Sequence, residues 1–187
     1  MGRWQPNARG RLTRAAYELY GERGYEQTTV AEIAKRAGLT ERTFFRHFAD
    51  KREVLFAGSE DLQEALVGAV TGAHESVAPV DAVTTALEAA GAVLTDREFS
   101  RQRQRIIDAN TELRERELIK LARLAAAVAG ALRHRGVPDL TASLAAEVGM
   151  AVFKVAWQRW LDGTGAEDLR GCVREAVGEL KGTTTRT

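Results

Sequence analysis

Residues 28–55 read Thr28-Thr-Val-Ala-Glu-Ile-Ala-Lys-Arg-Ala-Gly-Leu-Thr-Glu-Arg-Thr-Phe-Phe-Arg-His-Phe-Ala-Asp-Lys-Arg-Glu-Val-Leu55. Thr29 and Glu32 stand three apart ahead of apolar positions, the pattern of a capping box. The helix it opens turns Val30, Ile33, Ala34 and Ala37 to one side, and Gly38 stops it. Leu39 is a buried residue of the turn, and Thr40 caps a second short helix running to about Phe48. Two helices of about eight residues are too short to persist alone. Joined by a tight glycine turn and buried against neighbours, they form a helix-turn-helix.

The second helix decides the function. Phe44 and Phe48, four apart, share the inward face with Ile33 and Leu39. The outward face then carries Arg42, Thr43, Arg46 and His47, with Phe45 at its edge. Such groups donate to guanine, touch a thymine methyl or grip phosphate. Thr29, Thr40 and Lys51 join them as candidates, with the free amides at Thr29 and at the start of the Lys51 helix suited to an anion. Asp50-Lys-Arg-Glu53 reads as a further capping box opening a long helix with Leu55, Leu62, Leu66, Ala69 and Ala73 on its apolar side.

Upstream, a helix beginning after Pro6 places Leu12, Ala15, Ala16 and Leu19 on one face and ends near Gly21–Gly24, with Tyr25 as a core plug. Residues 1–52 hold eleven Lys/Arg against six acids, net +5, while the whole chain is +1, leaving −4 for the remainder. A basic head on an acidic body suits contact with a polyanion through the head alone. Arg3, Arg9 and Arg11 suit an arm entering the minor groove.

Downstream of a break at His74–Val80, the periodicity predicts helices near 81–94, 98–110, 112–135, 139–162 and 166–181. Leu169, Cys172, Val173, Ala176, Val177 and Leu180 form the apolar stripe of the last. The fold class is therefore all-α: a three-helix helix-turn-helix domain over 1–55 and a larger helical domain over 56–187.

Several classes are disfavoured. The three histidines, His47, His74 and His134, lack metal-ligand spacing, and no nucleophile elbow or phosphate loop appears. No metal, cofactor or catalytic residue is expected. The rival to DNA binding is a helical ligand-binding or scaffolding protein. No apolar run approaches the roughly 20 residues of a membrane span, and a lone Cys172 suits a reducing compartment. Cytoplasmic location and no membrane partner are the expectation.

Residues 8–55 resemble the N-terminal domain of the TetR/AcrR regulators. The resemblance rests on Tyr20-Gly-Glu-Arg-Gly-Tyr25, Thr28-Thr-Val-Ala-Glu-Ile-Ala34, Ala37-Gly-Leu-Thr40, Thr43-Phe-Phe-Arg-His-Phe48 and Lys51-Arg-Glu53. It implies a repressor that binds a palindromic double-stranded DNA operator as a homodimer, the last two long helices forming a four-helix interface. It also implies a small-molecule pocket in the C-terminal domain. Many relatives carry tyrosine where this chain has Phe45. The phenyl lacks the hydroxyl that grips phosphate, which leaves it apolar packing against sugar or a thymine methyl.

The segments Asn110–Arg114 and Phe153–Trp160 loosely resemble actinobacterial members, some of which sense acyl chains or acyl-coenzyme A. Phe99, Ile106, Asn110, Leu113, Met150, Phe153 and Trp157 are the candidate lining of a largely apolar pocket. Arg97, Arg101 and Arg105, four apart with Arg103 nearby, form a solvated face, an interdomain contact with Glu or Asp, or a phosphate site. Trp160 is a candidate for the dimer interface.

Overall fold

The computed structural model describes residues 7–91 and 94–185, and among them every regular element is an α-helix. Two compact units emerge. One comprises the chain up to Gly58 together with Phe99–Glu117, and the other Ser59–Glu98 with Leu118 onward.

In the first unit, α1 spans Ala8–Arg23. Asn7 caps it from a left-handed conformation (φ 75), its Oδ1 accepting from the Gly10 amide at 2.9 Å. Leu12, Ala15, Ala16 and Leu19 are buried as their spacing predicts, and so are Tyr17 and Tyr20. The helix α2 spans Val30–Arg36 and α3 spans Glu41–His47. Thr29 and Glu32 make the reciprocal capping box, and the Thr40 hydroxyl accepts from the Thr43 amide. Ile33 and Phe44 have no exposed surface, and Phe48 has 4%.

After α3 the chain departs from expectation. Asp50 does cap, its Oδ1 accepting from the amides of Arg52 (2.8 Å) and Glu53 (3.1 Å). The segment it opens is a run of turns, with bonds from Leu55 to Arg52, Phe56 to Glu53 and Ala57 to Val54. Gly58 at φ +88 ends it. The helix α4 begins only at Ser59 and runs to Gly72. The long helix expected from Asp50 is thus split, because three-residue ring closures tighten the first turns and a left-handed glycine cannot continue an α-helix.

The first unit is completed from far along the chain. The helix α6 spans Arg97–Asp108 and α7 spans Thr111–His134. Ile107 and Leu113, both fully buried, join the same apolar cluster as Leu12, Tyr17, Phe44, Val54 and Phe56. Two ion pairs fix the start of α7 to the turn segment, Arg52 to Glu112 at 2.5 Å and Arg116 to Glu53 at 2.6 Å, and a third, Arg103 to Glu117 at 3.0 Å, joins α6 to α7. Arg103 also donates to the Leu55 carbonyl at 2.7 Å and lies over the Phe56 ring.

The second unit is built on α5 (Pro79–Gly91), α8 (Asp139–Asp162) and α9 (Leu169–Thr185), which pack pairwise, with α4 against α5. Gly149 lies where α5 crosses α8, and any Cβ there would overlap the Val83 side chain. Cys172 is buried among the stripe, as a small hydrophobe. The 24 residues of α8 are long and apolar enough, by length and composition, to cross a membrane, which corrects the expectation that no segment reaches this. Its alanine-rich face, Ala142, Ala145, Ala146 and Ala156, is instead buried in the unit's core.

Candidate nucleic-acid interface

Because Phe44 and Phe48 point inward, 100° per residue sends positions 42 and 46 outward and 45 to the side. Arg42, Phe45 and Arg46 are all exposed, Phe45 by 55%. Neither arginine makes a hydrogen bond or ion pair among the described residues. Phe45 stands at the edge of the open face yet is well exposed, its ring edge-on to Phe44 at 5.5 Å between centroids.

Thr43 and His47 lie at the border, both half-buried. The Thr43 hydroxyl is 3.0 Å from that of Thr40. His47 Nε2 is enclosed without a hydrogen-bond partner among the described residues.

The anion-binding amides are otherwise engaged. The Thr29 amide and hydroxyl both donate to Glu32 Oε2, at 3.0 and 2.9 Å. These backbone and hydroxyl bonds, with Arg23 behind them, hold the Glu32 carboxyl below its usual range. The amides following Lys51 are taken by Asp50. Lys51 itself donates to the carbonyls of Tyr25 (2.9 Å), Glu26 (3.3 Å) and Thr28 (3.0 Å). Its own carbonyl accepts from the Tyr20 hydroxyl at 2.7 Å. Lys51 thus ties the turn before α2 to the end of α1.

The basic arm is shorter than expected. Arg3 lies outside the described residues. Arg9 and Arg11 belong to α1, Arg9 lying over the Phe48 ring and Arg11 donating to the Ala37 carbonyl. Arg36 clasps Glu22 through both terminal nitrogens, at 2.9 and 2.8 Å, holding the Glu22 carboxyl below its usual range. Water screens such exposed pairs, so they orient more than they stabilise.

The first unit matches the family described as "Bacterial regulatory proteins, tetR family" over residues 12–57, and residues 77–185 match the MftR C-terminal domain of that family. The chain belongs to the TetR family. That family comprises bacterial regulatory proteins, and catalysis is no part of its work. The chain is similar to the HTH-type transcriptional regulator TcmR of Streptomyces glaucescens, 40% identical over 81 residues, 43% of this chain and 36% of TcmR. The match thus spans about a third of that relative's length.

Two solved structures share the fold. SmeT, repressor of the Stenotrophomonas maltophilia efflux pump SmeDEF, was solved with triclosan. That complex gives a TM-score of 0.66 at 20% identity, covering 94% of this chain and 90% of SmeT. Thermus thermophilus FadR with lauroyl-CoA gives 0.51 at 25% identity, covering 96% of both chains.

The seven expected pocket residues do not assemble in either unit. Phe99, Ile106, Asn110 and Leu113 belong to the first unit. Phe99 stacks on Tyr17 at 4.3 Å, Leu113 is core, and the Asn110 amide donates to the Ile106 carbonyl at 2.6 Å. Met150, Phe153 and Trp157 belong to the second, Phe153 and Trp157 stacked at 5.9 Å. The second unit instead holds an open groove of about 300 Å³ between α7 and α8. Leu121, Ala122, Ala125, Met150 and Ala151 line it, with Glu147 and Lys154. Of the seven, only Met150 lines it.

The arginine row is also divided. Arg97 donates to the carbonyls of Gly163 (3.1 Å), Gly165 (2.7 Å) and Glu167, and its guanidinium lies over Trp160. It satisfies orphan carbonyls past the end of α8 and complements the negative end of that helix. Arg101 is half-buried and Arg105 exposed. Trp160 is 2% exposed, a core residue of the second unit rather than an interface side chain. Sequence reasoning placed Arg103 only in the arginine row and missed Arg116 and Glu117. Their partners stand 14 to 63 residues away, a separation that leaves no local pattern.

Proposed function

We propose that the chain is a ligand-responsive repressor that binds a palindromic operator as a homodimer and leaves it when a small, largely apolar effector binds. The exposed arc of Arg42, Phe45 and Arg46 on α3 carries this reading. Two cations without partners among the described residues flank an aromatic ring on a helix anchored by a fully buried phenylalanine. That helix enters the major groove, Arg42 and Arg46 reaching guanine edges or phosphate. Thr43 and His47 border the contact. Thr29 and Thr40 act by capping α2 and α3, and Lys51 by holding the turn before α2.

Pairing is supported by α8, where Leu140, Leu144 and Val155 are exposed by 72%, 58% and 61%. Spacings of four and eleven residues put them on one face, an apolar strip that a second copy would cover. For the effector, the apolar floor of the α7–α8 groove is suggestive. So are the triclosan of SmeT and the lauroyl-CoA of Thermus thermophilus FadR. An effector releases DNA only if it prefers the state that cannot bind it. Such a regulator works in the cytoplasm, where its DNA is.

The test is a gel-shift with duplex from the region beside the protein's own gene, using wild type and an Arg42→Ala, Thr43→Ala double variant. Binding by wild type and its loss in the variant are expected. A wild type that binds no duplex would favour a scaffolding protein. Thermal-shift screening of metabolites, followed by DNA release, then identifies the effector.

A further inference from the structure

We propose that Phe45 reads thymine: its ring packs on the 5-methyl group of one thymine in each half-site and sets the base preference there. This rests on the DNA-binding reading above and adds the chemistry of one contact. Phe45 is 55% exposed, whereas Phe44 and Phe48 beside it are 0% and 4% exposed. The ring is not loose, for it stands edge-on against Phe44 at 83°, and Phe44 is locked in the core. Arg42 and Arg46, three residues before and one after, share its exposed arc. Their charge commits this face to a polyanion, so the phenyl is carried to the same surface.

What the ring meets there follows from its chemistry. A phenyl neither donates nor accepts a conventional hydrogen bond, so it adds nothing at a phosphate, and pressing it there strips water from a charge. Among the base edges of the major groove, the apolar group is the C5-methyl of thymine. Arg42 supplies a donor beside it, so one helix face holds both a hydrogen-bonding and a methyl-reading element.

The experiment needs no variant to begin. Duplexes are selected from a randomised pool with the wild-type protein, and each thymine of the selected site is then replaced singly by deoxyuridine. This deletes the methyl and leaves every hydrogen-bonding group in place. At one thymine per half-site, affinity should fall about fourfold, and about fifteenfold when both half-sites are replaced, the worth of a buried methyl. Phe45→Ala should bind thymine and deoxyuridine sites alike, with an unchanged circular dichroism spectrum. If no replacement changes wild-type affinity by more than about twofold, the inference is overturned, and the ring packs on sugar. It is equally overturned if the loss persists in Phe45→Ala. Failure to select any duplex would overturn the DNA-binding reading along with it.

Discussion

The Lys51 ammonium lies 2.9 Å from the Tyr25 carbonyl oxygen and 4.3 Å from the centre of the Tyr25 ring. With two more carbonyls in reach, it closes the turn that delivers the chain into α2. Lys51→Met should therefore destabilise the first unit by about 1–3 kcal/mol, since it strips a charged donor from partly enclosed acceptors. Lys51→Arg should restore only part of this, because a planar fork does not match three convergent carbonyls. Denaturant midpoints measure both, and an unchanged midpoint in Lys51→Met would show that the clamp is dispensable.

The chain's three tyrosines, Tyr17, Tyr20 and Tyr25, are all buried in the first unit. Burial pushes Tyr17 up to about 12, opposed by the neighbouring Arg103 guanidinium. Burial raises Tyr20 and Tyr25 further above their ordinary value of 10.0, with nearby negative groups adding to it. Folded values above unfolded ones mean that the unfolded chain loses these protons first. This contribution is whole below about pH 10 and fades as pH climbs through about 12. Phenolate absorbance should therefore appear together with unfolding, above the pH at which free tyrosine ionises. Smooth ionisation near pH 10 in the still-folded protein would contradict the burial.

Gly149 is required by sterics, because α5 leaves no room for a methyl at its crossing with α8. Gly149→Ala should cost about 1–3 kcal/mol by overpacking. Val83→Ala in the same chain should recover part of the loss, a non-additivity that a double-mutant cycle reads directly.

Gly58 is required by conformation instead, with φ +88 and open space where a Cβ would stand. Gly58→Ala should cost about 1–2 kcal/mol, the strain of a left-handed alanine. Equal stability of the two proteins by thermal denaturation would count against the split between the turn segment and α4.

The helix-turn-helix was legible because its signals are local. Thr29 and Glu32, Gly38, and Thr40 each act within three or four residues, and both caps and the turn stand where they were expected. The Asp50 capping box misled for the same reason. Its side chain does cap two amides, yet nothing local distinguishes a run of turns from the first turn of a helix, and Gly58 looks like a tolerated interior glycine. The share of α6 and α7 in the first unit was hidden. Ile107 and Leu113 look like any apolar helix positions, and Arg103 looks like one of a row. Which apolar residues would meet was equally hidden, since Phe99 and Met150 are alike in being large and apolar but belong to different units.

Association with DNA should weaken steeply as salt rises. If Arg42 and Arg46 neutralise phosphates in addition to reading bases, replacing one of them should lower the slope of log affinity against log salt by about one per half-site. Affinity that ignores salt would remove the electrostatic part of the account.

The central claim, that the open face of α3 reads DNA in pairs, is tested most directly by footprinting a selected duplex with wild type and an Arg42→Ala, Arg46→Ala double variant. Wild type should protect two half-sites whose centres lie about 34–36 Å apart, one turn of the duplex. The variant should keep its helical spectrum and melting temperature and protect neither. Protection that survives in the folded variant, or a wild type that protects nothing, would contradict it.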